Sequence, residues 1–143
     1  MKKQIIGCGL ALSLFAGVAS GVELVIDIKG LKNATGQVLV GIYDDPERFP
    51  KKGKSLEHVV VPKITGNTAQ ATFENLSEGR YAVVVVHDED MNHELTRDFM
   101  MMPEEGFGFS NDVEPFMGPP SFDEASIAVS DGDNRIKITM QHF

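Results

Sequence analysis

Residues 22–28 alternate between apolar and polar side chains, which is the pattern of a β-strand with one buried face. Leu24, Ile26 and Ile28 share the apolar face. The segment 37–43 is rich in β-branched residues, and an acidic turn with a proline follows it, where a strand would end. Turn-forming residues separate the two segments, so we predict that they form a β-hairpin.

Segment 80–87 is apolar at successive positions, which is typical of a central strand covered on both faces. Tyr81 follows a Gly-Arg pair at the start of this segment, and we predict that it braces the connection between two sheets as a tyrosine corner does. Pro62 lacks an N–H donor, so segment 58–64 is predicted to be an edge strand, in a second hairpin with the strand that follows. The remaining predicted strands are 68–73, 125–129 and 135–141.

Turns join these seven short strands, and no long helical period interrupts them. The pattern predicts an all-β fold, a seven-stranded β-sandwich of two sheets. A long insertion, 88–124, separates strands five and six. Insertions of this length are usually functional or disordered, but the phenylalanines in this one allow it to bury apolar surface. We therefore predict one long ordered loop and expect the functional residues in it.

The first 21 residues have the order of a secretory signal peptide: a basic start, an uncharged apolar run and small residues at the end. We expect cleavage after Ser20 or Gly21, which leaves a single domain of residues 22–143. The alternative is an uncleaved membrane anchor, but a spanning helix needs about 20 apolar residues, and this run is shorter and contains glycines. Cys8 is the one cysteine and lies inside the leader, so the mature domain has no thiol. We predict a periplasmic or secreted protein without a transmembrane segment after leader removal.

The chain has a formal net charge of -8, and loss of the two leader lysines makes it about -10. An acidic surface disfavours nucleic acid and anionic membranes as partners, and permits divalent cations or basic proteins. Motifs of nucleophile elbows, phosphate-binding loops and zinc-binding helices do not occur in the sequence. We therefore predict a non-enzymatic binding module. Two alternatives stay open: a cell-envelope protein that recruits a partner protein at a sheet edge, and a metal-dependent enzyme.

The segment that follows strand five is rich in oxygen ligands. Asp88, Asp90 and Asn92 match positions one, three and five of a calcium-binding loop, whose alternate side chains converge on one cation. Glu94 would offer its backbone carbonyl at position seven, and Thr96 would act directly or through water. The predicted ligands of a Ca²⁺ ion are Asp88, Asp90, Asn92, Glu94, Thr96 and Asp98.

Two positions depart from such a loop. His93 replaces glycine at the sixth position, and Phe99 replaces a bidentate glutamate at the twelfth, so Asp98 would have to supply that carboxylate. We therefore expect weak affinity, in the class of about 10⁻⁴ to 10⁻³ M. One alternative is a solvated acidic loop whose side chains cap their own turns. Another is a zinc site formed by His87 and His93 with nearby aspartates.

A ligand groove is predicted beside the acidic loop, shaped by aromatic and polar residues of the long insertion and by the end of strand five. Its predicted members are His87, Phe107, Phe109, Ser110, Asn111 and Phe122.

Three sets of motifs follow one another along the chain: GRYA with HDED and Asn92, PEEG with GFSN, and GPPSFDEA. They span nearly the whole mature chain, which resembles a family of bacterial exported proteins known as domain of unknown function 2141 (DUF2141). The resemblance implies an immunoglobulin-like or transthyretin-like β-sandwich and carries no established activity. In this family the acidic loop typically runs Asp-Glu-Asn-x-Asn-Gly, followed by Leu-Asp. Asp90, His93 and Thr96 stand here in place of Asn, Gly and Asp, and the last two changes weigh against a cation site shared with the family.

Overall fold

The computed structural model describes residues 21–93 and 103–143 of the chain. The predicted signal peptide lies outside these residues except for its last position. Short strands are the main secondary structure of the described chain, and it contains no helix with the length and apolarity needed to cross a membrane. The elements are β1 (Val22–Lys29), β2 (Gln37–Tyr43), β3 (Glu57–Val61), β4 (Thr68–Leu76), β5 (Gly79–Asp88), β6 (Phe107–Phe109), a 3₁₀ turn (Ser110–Asp112), the one-turn helix α1 (Phe122–Ala125), β7 (Ile127–Val129) and β8 (Asn134–Thr139).

The strands form two sheets. The smaller sheet has the order β4-β1-β8, in which β1 and β8 run parallel. The larger sheet has the order β3-β2-β5-β6, and β7 pairs with the first residues of β5. This arrangement confirms the predicted all-β sandwich of two sheets. The described residues contain one strand more than the seven predicted, because β6 lies within the long insertion.

The strands β1 and β2 do not pair with each other. β1 lies between β4 and β8 in the smaller sheet, whereas β2 lies between β3 and β5 in the larger one. The predicted first hairpin is therefore wrong, because the connection after β1 passes from one sheet to the other. The predicted second hairpin is wrong for the same reason: β3 and β4 belong to different sheets, and an isolated bridge from Thr65 to Thr68 closes the turn between them.

The main core lies between the two sheets. Leu24, Ile26 and Ile28 of β1 are at most 1% exposed, and they face Val40 and Val85 of the larger sheet within one cluster. Each such side chain stabilises the fold by about 1.5 to 3 kcal/mol when it leaves water. Burial of this kind carries the fold, because a chain with one cysteine cannot form an internal disulfide.

The strand β5 is buried on both faces, as the sequence predicts. Val83 and Val85 face the core between the sheets, whereas Ala82 and Val84 face a second apolar cluster on the outer side of the larger sheet. Residues 107–125 cover this outer side. The buried members of the second cluster are Tyr43, Phe49, Ala82, Phe107, Phe109, Phe122 and Ala125.

Tyr81 forms the predicted tyrosine corner. Its hydroxyl donates a hydrogen bond to the Ser77 carbonyl, 2.6 Å away, at the connection between β4 and β5, which lie in different sheets.

We expect Tyr81→Phe to lower the free energy of unfolding by about 1 kcal/mol, because a part-buried carbonyl loses its donor while the ring stays packed. Urea unfolding measures the difference, and an unchanged free energy would show that the hydroxyl does not brace the connection.

Candidate functional site

Three carboxylates meet at one end of β5. One side-chain oxygen from each of Asp88, Asp90 and Glu105 lies within 4.8 Å of the other two. Asp88 is fully buried and Glu105 is 5% exposed, whereas Asp90 is open to solvent. These three residues are called the acidic cluster below. Two of the predicted calcium ligands are thus brought together, and a third acid joins them from the middle of the insertion.

The start of β2 holds Asp88 in place. Gln37 pairs with Asp88 across the sheet, and its side-chain N–H donates to a carboxylate oxygen at 2.8 Å. Gly36 approaches the end of β5 so closely that a Cβ on it would lie 2.2 Å from the Asp88 carbonyl oxygen. The carboxylate is therefore positioned by the framework of the larger sheet.

The turn after β5 winds around the Asp88 carboxylate. The two oxygens accept hydrogen bonds from the backbone N–H groups of Asn92, at 3.1 Å, and His93, at 2.9 Å. Asp90 accepts from the backbone and side-chain N–H groups of Asn92, at 3.2 and 3.1 Å. Asn92, a predicted ligand, thus lies in the same turn, with N–H groups directed at both aspartates. These bonds agree with the predicted alternative in which acidic side chains cap their own turn.

Glu105 reaches the turn through the pairing of β5 with β6. The backbone N–H of His87 donates to the Gly106 carbonyl at 2.8 Å, which extends that pairing to the residue beside Glu105. The Glu105 carboxylate then accepts from the backbone N–H groups of Glu89, at 3.0 Å, and Asp90, at 3.4 Å. Sequence reasoning missed this residue, because a strand of three residues has no measurable period. The PEEG motif was the one signal near it.

Asp88 is charged although it is buried. Burial raises the pKa of its carboxyl, but the hydrogen bonds that it accepts, first of all from Gln37, lower it more, so the pKa lies below the ordinary value. Three of about four lone-pair positions of the carboxylate are occupied by the N–H groups of Gln37, Asn92 and His93. A buried negative charge with two acids beside it is stabilised by a cation that neutralises the group.

The other three predicted ligands, Glu94, Thr96 and Asp98, lie outside the described residues. In the sequence, this segment begins soon after the turn that contains Asp90 and Asn92. The calcium prediction therefore rests, within the described chain, on Asp88, Asp90 and Glu105.

Comparison with known protein families gives a match over most of the chain. A model described as "Uncharacterized protein conserved in bacteria (DUF2141)" matches residues 26–137 of the chain, from β1 to β8. The chain belongs to the DUF2141 family. No curated protein and no solved structure matches it in the corresponding comparisons. The matched range contains the whole acidic cluster of this DUF2141 protein.

The sixth position of the acidic loop, where the sequence comparison with a calcium-binding loop expects glycine, has a left-handed backbone in this chain. His93 stands there with a φ of 62°, and Met91 nearby has a φ of 57°. A side chain in this conformation costs about 1 to 2 kcal/mol relative to the right-handed one. The backbone turn is thus the one a glycine would favour, and the histidine adopts it under strain.

We expect His93→Gly to raise the free energy of unfolding by about 1 kcal/mol, because glycine adopts this φ freely and keeps the N–H that donates to Asp88. Thermal unfolding in a chelator measures the gain. Asn92→Gly is the matched control, since Asn92 is not among the residues with positive φ, and its replacement is expected to destabilise the turn. A loss of stability in His93→Gly would show that the ring makes a contact worth more than the strain.

The aromatic residues of the predicted groove lie inside the fold. Phe107, Phe109 and Phe122 are each at most 7% exposed. Phe49 packs against the last two, with ring centroids 6.2 and 6.1 Å apart in edge-to-face contacts. The prediction of a groove lined by these rings is corrected accordingly: they form the second apolar cluster, because the outer face of the larger sheet needs a cover.

The polar groove residues also have structural contacts. Ser110 is fully buried, accepts a hydrogen bond from the Val83 N–H at 2.9 Å and donates one to the Ala125 carbonyl. Asn111 is exposed, and its side-chain amide donates to the Ser126 carbonyl at 2.9 Å. Both residues therefore fasten the 3₁₀ turn to the segment around α1.

His87 points into the sandwich. It adjoins Asp88 in β5, so the two side chains lie on opposite faces of the strand. Its Nε2 donates to the Thr35 carbonyl at 2.8 Å, and its buried Nδ1 has no hydrogen-bond partner among the described residues. The zinc alternative requires His87 beside the aspartates of the acidic cluster. The structure instead places its side chain on the opposite face of β5.

Proposed function

We propose that this protein is an exported, non-enzymatic binding module whose acidic cluster holds a calcium ion. The observation that carries the proposal is the approach of three carboxylates, from Asp88, Asp90 and Glu105, to within 4.8 Å of one another, two of them buried. Like charges at this separation repel, and a divalent cation converts the repulsion into attraction.

The donor set favours calcium over softer metals. The acidic cluster offers oxygen atoms alone, and hard cations prefer carboxylate, carbonyl and water oxygen. Calcium accepts six to eight such ligands in flexible geometry, so backbone carbonyls of the turn and water complete the shell more easily than they do for magnesium. Three carboxylates on a partly exposed site support an affinity of about 10⁻⁴ to 10⁻³ M, which suits an extracellular module.

Export is supported by the leader pattern of the first 21 residues. A dissociation constant in this range requires the millimolar calcium found outside the cytoplasm, so location and affinity agree with each other. N-terminal sequencing of protein recovered from the periplasm or the medium tests this part: a first residue at Gly21 or Val22 supports export, and an intact Met1 in the cytoplasm contradicts it.

Calorimetric titration of the processed, chelator-treated protein with Ca²⁺, Mg²⁺ and Zn²⁺ tests the cation. We expect Ca²⁺ to bind most tightly of the three. At about 10 mM it should stabilise the fold by about 1.4 to 2.7 kcal/mol, which follows from mass action at 10 to 100 times the dissociation constant. The absence of heat and of a melting shift with all three cations would contradict the proposal.

Glu105→Gln and Glu104→Gln form a matched pair for locating the ion. The two glutamates are neighbours, and both changes remove one charge without a change of shape, but Glu105 is buried in the acidic cluster and Glu104 is exposed. We expect Glu105→Gln to weaken calcium binding about tenfold or more and Glu104→Gln to leave it nearly unchanged. Equal effects of the two changes would place the ion elsewhere.

A further inference from the structure

The two sides of the sandwich differ in how they are closed. On one side, Phe107 of β6 and Gln141 exchange two backbone hydrogen bonds, at 3.1 and 2.6 Å, and Asp112 accepts one from the Thr139 N–H at 2.7 Å. On the other side, β3 ends the larger sheet and β4 ends the smaller one. Among residues 21–93 and 103–143, no ladder joins β3 to β4. One isolated bridge, Thr65 to Thr68, closes the turn that connects them.

A groove of about 620 Å³ opens on this second side. Its walls include Thr68 and Gln70 of β4, Lys29 of β1 and Lys137 of β8, all from the smaller sheet. Lys63, two residues after β3, lines it from the chain of the larger sheet. The groove therefore reaches from the outer face of the smaller sheet to the open edge of β4. At this edge Thr68 is already paired with Thr65, and the outward backbone groups from Gln70 onward are available for pairing.

The charge of this groove is opposite to that of the whole protein. Lys29, Lys63 and Lys137 are exposed, and none of them forms a salt bridge with another described residue. Asp27 is the one acid in the lining, and Arg135 neutralises it through contacts of 2.6 and 3.0 Å. Lys137 lies beside the Asp27–Arg135 pair, where the two cations exceed the single acid, and Lys29 and Lys63 have no acidic partner in the lining. The groove is thus basic in a chain whose net charge is -8.

We propose that this groove binds an extended acidic peptide segment of a partner protein. The peptide backbone pairs with an open strand edge, and its carboxylates contact Lys29, Lys63 and Lys137. Lys29 and Lys137 lie in the smaller sheet and Lys63 lies in the connection from β3 to β4, so a ligand that meets all three must carry several negative charges along its length. A peptide strand satisfies the charges and the unpaired backbone together, which a small anion does not. The inference does not depend on the acidic cluster.

Fluorescence anisotropy with labelled ten-residue peptides, in which Glu or Asp alternates with varied residues, tests the site. Lys63→Gln/Lys137→Gln is expected to weaken the tightest peptide about fivefold, as the loss of two exposed ion pairs predicts. Lys51→Gln/Lys54→Gln removes the same charge from exposed positions in the segment between β2 and β3, and should leave binding within about twofold. No binding by any peptide, or equal weakening in both double variants, would overturn the proposal.

Two further ligands separate strand pairing from simple charge attraction. The same peptide with N-methylated backbone amides keeps its carboxylates but loses its donors, so we expect its binding to disappear. Inorganic polyphosphate carries charge without a peptide backbone, and we expect it to compete poorly. Unchanged binding of the methylated peptide, or tighter binding of polyphosphate at the same lysines, would show that the groove takes a polyanion instead and would overturn the peptide assignment.

Discussion

Asp88→Asn is expected to abolish calcium binding to the acidic cluster and to lower the free energy of unfolding by about 2 kcal/mol. The amide has the shape of the carboxylate, but an N–H₂ group replaces one acceptor oxygen. The carboxylate now accepts hydrogen bonds on both oxygens, from Gln37 and His93 on one and from Asn92 on the other. Either orientation of the amide therefore sets a donor against a donor in a buried site, and it also removes one of the three charges that attract the cation.

The cost of this substitution depends on pH, because folding lowers the pKa of Asp88. A carboxyl with a lowered pKa contributes stability that is fully present above the unfolded value, about 3.9, and is lost as the pH falls through the folded value. We expect the difference between parent and variant to stay constant from about pH 7 to 5 and to shrink below about pH 4. Urea unfolding in a chelator at several pH values measures it.

Asp133→Asn is the matched control for this experiment. Asp133 lies in the exposed turn between β7 and β8, and its replacement makes the same change of charge and shape. Both its calcium affinity and its unfolding free energy should equal those of the parent. Calcium binding by Asp88→Asn at the parent's affinity would remove Asp88 from the site, and a pH-independent difference in stability would contradict the lowered pKa.

The features that the sequence predicted correctly are those that neighbouring residues determine. Alternation in 22–28 assigned Leu24, Ile26 and Ile28 to the core, because side chains of a strand point to its two faces in turn. The missing donor of Pro62 indicated an edge for segment 58–64, and β3, which ends at Val61 just before this proline, is an edge strand. Tyr81 was assigned to a tyrosine corner from its place after the Gly79-Arg80 pair, and its hydroxyl donates a hydrogen bond to the Ser77 carbonyl in that connection.

Strand partners were not predictable in the same way. The residues between β1 and β2 favour a turn, but a turn within one sheet and a crossing between two sheets use similar residues. The β1 strand pairs in parallel with β8, more than 100 positions further along the chain, and no local pattern carries that information. The same limit hid Glu105, whose contact with Asp88 depends on the pairing of β6 with β5.

Gly36→Ala is expected to cost at least about 4 kcal/mol of unfolding free energy and to disrupt the acidic cluster as well. Gly36 stands between two residues that tie β2 to the end of β5: the Thr35 carbonyl accepts from His87, and Gln37 donates to Asp88, both at 2.8 Å. A Cβ on Gly36 would lie 2.2 Å from the Asp88 carbonyl oxygen, a separation that real Cβ atoms do not show. The backbone segments at Gly36 and Asp88 must therefore move apart, and the Asp88 carboxylate moves with its segment.

Gly53→Ala separates this contact from the cost of the backbone conformation. Gly53 has a φ of 72°, close to the 75° of Gly36, but nothing lies within 4 Å of a Cβ placed on it. It should cost about 1 kcal/mol, the left-handed penalty less the reduced freedom of the unfolded chain, and leave calcium affinity unchanged. Equal costs for the two variants, measured by urea unfolding with calcium titration of each, would mean that strand β2 does not position Asp88. A much larger loss of unfolding free energy in Gly36→Ala than in Gly53→Ala, together with weakened calcium binding, would mean that the site depends on the close approach of two backbone segments. A motif of side chains does not reveal such an approach.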